Sequence, residues 1–94
     1  MRTIYKYPIP VEDAFTLELP TNVNILHIST QNNKPYMWCL IDTDDKVSLR
    51  LFRLYGTGHE IVQPKTGDYV FLGTFEMFQA AFVWHLFEWV GYSQ

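Results

Sequence analysis

Arg50-Leu51-Phe52-Arg53-Leu54-Tyr55-Gly56-Thr57-Gly58-His59-Glu60 is the stretch where positive charge, aromatic surface and backbone donors converge. The chemistry it would support is capture of an anion. Arg53 and Tyr55 share one face of an extended strand and lead directly into Gly56-Thr57-Gly58. Two glycines let backbone amides turn toward a ligand. With the Thr57 hydroxyl, His59 and Lys65, the loop has the groups to cradle a phosphate. A guanidinium beside a stacking tyrosine suits a nucleotide. Arg50 falls on the opposite face with Phe52 and Leu54, so it joins only through a bulge or a second subunit. The competing reading is a tight turn, with Arg53 paired to Glu60 or Asp68. A Gly-Thr-Gly triplet is neither a Walker A loop nor a dinucleotide fingerprint, so it decides nothing alone.

Other chemistry is poorly supported. His27, His59 and His85 lack metal-ligand spacing, and Cys39 is the single cysteine, so no metal site is expected. Cys39 lies in an apolar run and reads as buried filler in a reducing compartment. Asp42, Asp44 and Asp45 fit no twelve-residue calcium loop. His27-Ile28-Ser29 is half of the paired His-x-Ser/Thr arrangement of one phosphodiesterase group, but His85 is followed by Leu86-Phe87. No nucleophile–base pair or carboxylate dyad assembles from local spacing, so no enzyme and no cofactor are expected.

The elements that must position these residues read as strands. Met1 to Tyr7 is an edge strand stopped by Pro8 and Pro10. Phe15, Leu17 and Leu19 alternate with Thr16 and Glu18. Val23 to Gln31 places Leu26 and Ile28 on one face, with His27 and Ser29 on the other. Asn32-Asn33-Lys34-Pro35 is a turn by composition. Tyr36 to Ile41 is apolar on both faces, as in a central strand covered on two sides. Asp42 to Lys46 reads as a hairpin tip, with Val47 to Tyr55 returning beside that strand. Asp68 to Met77 is a strand. Ala80 to Val90 is rich in aromatic and β-branched residues and reads as strand, although Gln79-Ala80-Ala81 could begin a helix. A single domain over residues 1–94 follows. It is all-β, or failing that β-rich α+β: a small antiparallel sandwich or barrel of six or seven strands.

Composition limits the partners. Apolar residues form 48% of the 94, and three Trp, six Tyr and seven Phe are too many for so small a core to hide. Trp84, Phe87 and Trp89 therefore read as core or interface, and a homo-oligomer is expected. A net charge of −3 argues against general nucleic-acid binding, which needs a dominant basic surface. The N-terminus has no signal-peptide centre, and the apolar run from Ala80 to Leu86 is too short to span a membrane. A cytoplasmic location without membrane partners is the expectation.

Phe52-Arg53-Leu54-Tyr55-Gly56-Thr57-Gly58-His59, Leu72-Gly73-Thr74-Phe75 and Val83-Trp84-His85-Leu86-Phe87-Glu88, taken in order, resemble a family of small bacteriophage proteins of unknown function. Such proteins begin with a strand like Ile4-Tyr5-Lys6-Tyr7. They carry glycines near Ala80 and Ala81, which implies a less permissive backbone here. The resemblance implies a phage gene. By analogy with other small phage proteins, it implies a counter-defence factor that sequesters a nucleotide-type immune signal. The alternative is a structural or interaction module that binds a host or virion protein through aromatic surface.

Overall fold

The computed structural model describes residues 1–61 and 69–90. Seven strands appear: β1 (Arg2–Pro8), β2 (Ala14–Pro20), β3 (Asn24–Gln31), β4 (Lys34–Asp42), β5 (Val47–Gly56), β6 (Tyr69–Met77) and β7 (Phe82–Trp89). They build two antiparallel sheets, ordered β1-β4-β3 and β2-β5-β7-β6. The protein is all-β, and β1 is an edge strand. Among the described residues there is no helix, so none is long and apolar enough to cross a membrane.

Strand period two explains the layering. Met37, Cys39 and Ile41 of β4 point inward, as do Phe15 and Leu19 of β2, Phe52 and Leu54 of β5, and Leu86 of β7; all are buried. Each large apolar side chain removed from water contributes roughly 1.5–3 kcal/mol. The two sheets meet where β3 packs along β6. There Gly73 presents only hydrogen to Ile28, and a Cβ at that position would lie 3.1 Å from Ile28 Cδ1. Cys39 is wholly buried in this layer, and burial pushes its thiol up to about 11 while Arg50 pulls it back. A thiol held protonated is a poor nucleophile.

Three expectations are corrected. β4 and β5 are not a hairpin. Both edges of β4 are occupied, by β1 and β3, so β5 passes to the other sheet and pairs with β2 and β7. The polar link at Thr43–Lys46 crosses between sheets, held by Thr21, whose amide and hydroxyl both donate to the Lys46 carbonyl at 2.8 Å. Secondly, β4 is covered on one side only: Tyr36, Trp38 and Leu40 face outward and are half-buried. Thirdly, a bulge between Ile25 and His27 breaks the parity of β3, leaving Leu26 exposed while Ile28 turns inward.

The real hairpins are β3–β4 and β6–β7. Asn32 (φ 54°) and Asn33 (φ 60°) form the first turn, the two-residue geometry that asparagine tolerates, while Lys34 and Pro35, expected in the turn, pair with Gln31 and Thr30 as the start of β4. The second turn holds Phe78, Gln79 and Ala80 at φ 54°, 55° and 67°. Three consecutive side-chain-bearing residues in the left-handed region are costly, roughly 1–2 kcal/mol each. Asn33 Oδ1 steadies the turn by accepting the Phe78 amide at 3.0 Å. The resemblance implied glycines near this point. Ala80→Gly is accordingly expected to raise stability by about 1 kcal/mol, the relief of strain exceeding the added chain entropy. Urea titration checks this; an unchanged or lower midpoint would show the turn to be unstrained.

Candidate functional site

The Gly56–His59 segment forms a four-residue turn, with the His59 amide donating to the Gly56 carbonyl at 3.1 Å. Gly58 sits at φ 87° in the third position, where such a turn needs glycine. The His59 ring folds back so that Nδ1 accepts the Gly56 amide at 3.2 Å, and it meets Trp84 edge-on at 6.0 Å. A Cβ on Gly56 would lie 2.6 Å from His59 Cε1, so the glycine makes room for the imidazole. The Thr57 amide donates to the Val83 carbonyl at 3.2 Å. Its hydroxyl lies 2.8 Å from His85 Nε2, and Thr74 Oγ1 lies 2.9 Å from His85 Nδ1.

These bonds change what the loop offers. The amides of Gly56, Thr57 and His59 are engaged by the protein's own acceptors. The turn is a scaffold that fixes His59 and His85, with few amides left to greet a phosphate. Nothing in the sequence pairs His85 with Thr57, because the contact depends on the Gly56–Trp84 register between β5 and β7.

On the outward face of the four-stranded sheet, Arg53 and Tyr55 do lie together. They line a cleft of about 250 Å³ with Asp13, Leu54, His59 and Glu60. Asp13 arrives from the β1–β2 connection, its carbonyl accepting the Leu54 amide at 3.0 Å. Tyr55 packs edge-to-face on Phe87, 5.7 Å between centroids. Though outward-facing, it is 9% exposed. Its hydroxyl is buried with no hydrogen-bond partner among the described residues. Arg53 is half-buried and, among the described residues, has no carboxylate within 4.0 Å. It does not form the ion pair with Glu60. Asp68, the other partner considered, and Lys65 lie outside the described residues.

Arg50 belongs to another environment. It points between the sheets and pairs with Glu88 of β7, itself 4% exposed. No bulge brings it round to Arg53. The histidines are likewise dispersed: His59 and His85 sit near the turn, while His27 is on β3 in the other sheet. Among the described residues, no three His, Cys, Asp or Glu side chains converge for a metal. Asp42 and Asp44 instead take the N-terminal ammonium at 3.1 and 3.0 Å, and hydrogen bonds from the Asp44 amide and that ammonium hold Asp42 below the usual carboxylate range.

No curated protein and no solved structure matches the chain. A family model covers residues 1–92, and the protein belongs to that family, described as Domain of unknown function (DUF7352).

Proposed function

We propose that this is a non-catalytic binding protein that takes a nucleotide-type ligand at the Arg53–Tyr55–His59 cleft. One observation carries the reading: a guanidinium and a buried phenol, each without a partner among the described residues, lie in the same concavity. Each buried polar group without a partner costs about 1–3 kcal/mol, which a ligand acceptor would recover. Arg53 and Tyr55 are its principal contacts. Gly56, Thr57 and Gly58 hold the turn that presents His59, and Lys65 follows in the same connection. The volume is below the roughly 300–1,000 Å³ of sites that engulf a drug-sized ligand, so the cleft takes part of a nucleotide. Asp13 and Glu60 disfavour a dense phosphate cluster and favour a ring with donor and acceptor edges. With the phage resemblance, this supports a counter-defence sponge that sequesters an immune nucleotide in the host cytoplasm.

The test is thermal shift and calorimetry against a panel of mono-, di- and cyclic nucleotides. At least one is expected to raise the melting temperature, with Arg53→Ala weakening its affinity tenfold or more. If no nucleotide shifts the transition, or the Arg53→Ala protein binds equally well, the reading fails. A second reading, a protein-interaction module, rests on the β6–β7 tip, where Phe78 and Phe82 are 54% and 52% exposed beside an apolar groove of about 190 Å³. A panel without any binder favours it.

A further inference from the structure

The outward face of the β1-β4-β3 sheet is separate from that cleft and lies on the other side of the molecule. Cross-strand register writes it in rows. Trp38, at the centre of β4, is flanked by Lys6 on β1 and His27 on β3. The next row toward the β3–β4 turn centres on Tyr36. Three rings therefore neighbour one another: His27 to Trp38 at 5.8 Å and 45°, and Tyr36 to Trp38 at 6.1 Å and 61°. His27 is exposed, Trp38 and Tyr36 are half-buried, and the Lys6 ammonium lies over the Tyr36 ring.

The charge on this face is opposite to that of the whole protein. The chain carries −3, yet Lys6 and Lys34 stand on the same face as Trp38 and Tyr36, and no carboxylate lies in the Trp38 or Tyr36 rows. Lys6 has no acidic partner among the described residues. Its ammonium is met by the Gln31 amide oxygen at 2.9 Å and by the Tyr36 ring, 4.4 Å from the centroid. Both are neutral, so the cation keeps its full charge available to an anion. Asp42, at the far end of β4, is already engaged by the N-terminal ammonium.

Neighbouring aromatic rings, bordered by lysines that have no carboxylate partner among the described residues, match a polymer that alternates flat bases with phosphates. An acidic peptide would use the lysines and leave the rings without a stacking partner. We propose that this face binds a short segment of single-stranded nucleic acid, with Trp38 as base platform and Lys6 and Lys34 as phosphate contacts. The net charge opposes broad electrostatic adhesion, and the local inversion of charge permits a contact a few nucleotides long.

Fluorescence anisotropy with a labelled twelve-residue oligothymidylate tests the proposal on the full chain. At 50 mM salt the expected dissociation constant is in the range of about 1–100 µM. Two phosphate contacts predict a slope of about −1.4 for log K against log salt. Trp38→Ala is expected to weaken binding about tenfold. Lys6→Glu, a change at an exposed position that leaves packing intact, is expected to weaken it comparably and flatten the salt slope. No saturable binding below 1 mM would overturn the proposal. So would equal affinity for an abasic oligomer of the same length, or full displacement by polyglutamate at equal charge, since either makes the face a generic polyanion site. A dimer that Lys6→Glu dissociates would also overturn it, by showing that a second copy occupies the face.

Discussion

Glu88→Ala is expected to lower stability by about 3–5 kcal/mol, the largest loss from any single side chain outside the apolar core. Glu88 is 4% exposed on β7 and answers Arg50, which reaches it diagonally across the inner face from β5. Removing the carboxylate leaves a guanidinium only 24% exposed, near Cys39 of the facing layer, with no other carboxylate within 4.0 Å among the described residues. Domains of this size hold about 5–15 kcal/mol in total, so the variant should sit near the threshold of folding. Its melting temperature should fall by roughly 15–30 °C. The paired replacement Arg50→Met with Glu88→Leu should recover most of the loss, because an ion pair that repays its own desolvation contributes little net stability. Guanidinium titration of both variants checks this. A single substitution costing under 1 kcal/mol would mean that water solvates the partly exposed Arg50 well enough to replace its partner.

Phe52→Ala is expected to cost about 3–5 kcal/mol, against less than 1 kcal/mol for Phe71→Ala. The two substitutions delete the same atoms from the same sheet. Phe52 is 1% exposed and stacks on its cross-strand partner Phe15 at 5.3 Å, with ring planes 11° apart. Its removal leaves a cavity that neighbouring strands cannot close without breaking register. Phe71 faces outward, is 55% exposed and packs on Phe87 at 5.4 Å. Equilibrium unfolding of the pair gives the contrast directly. Equal losses would mean that the outward aromatic row is as well packed as the core.

Much of this architecture is written locally. Alternation in Phe15-Thr16-Leu17-Glu18-Leu19 dictates a half-buried strand, and the buried set Phe15 and Leu19 follows from it. The same period puts Arg50 and Arg53 on opposite faces, and the two do face opposite ways. Asn32-Asn33-Lys34-Pro35 announces a turn by composition, of which Asn32 and Asn33 take the positive φ while Lys34 and Pro35 open β4. Aromatic and β-branched density in Phe82–Trp89 makes a strand where helical periodicity fails.

Partner choice is not local. Which strand pairs with β4 depends on the whole set of available edges. A five-residue polar link therefore reads as a hairpin and turns out to cross between sheets. The bulges at Leu26 and near Leu72 are equally hidden, since one extra residue reverses parity without changing composition. They send Leu26 to solvent and put Phe71 and Thr74 on the same outer face.

The candidate site divides in the same way. Arg53, Tyr55, Gly56, Thr57, Gly58 and His59 form a contiguous run whose proximity the chain itself guarantees. Tertiary structure alone decided that Glu88 neutralises Arg50, that Asp13 enters the cleft and that His85 anchors Thr57. It also decided that the turn's amides are spent on His59 and Val83, leaving the Arg53 guanidinium and the Tyr55 phenol as the groups still without a partner among the described residues. The physical reason is common to all of these. Hydrophobic period fixes which face a side chain takes, whereas the identity of its neighbour is fixed by strand order and register, which only the assembled sheets supply.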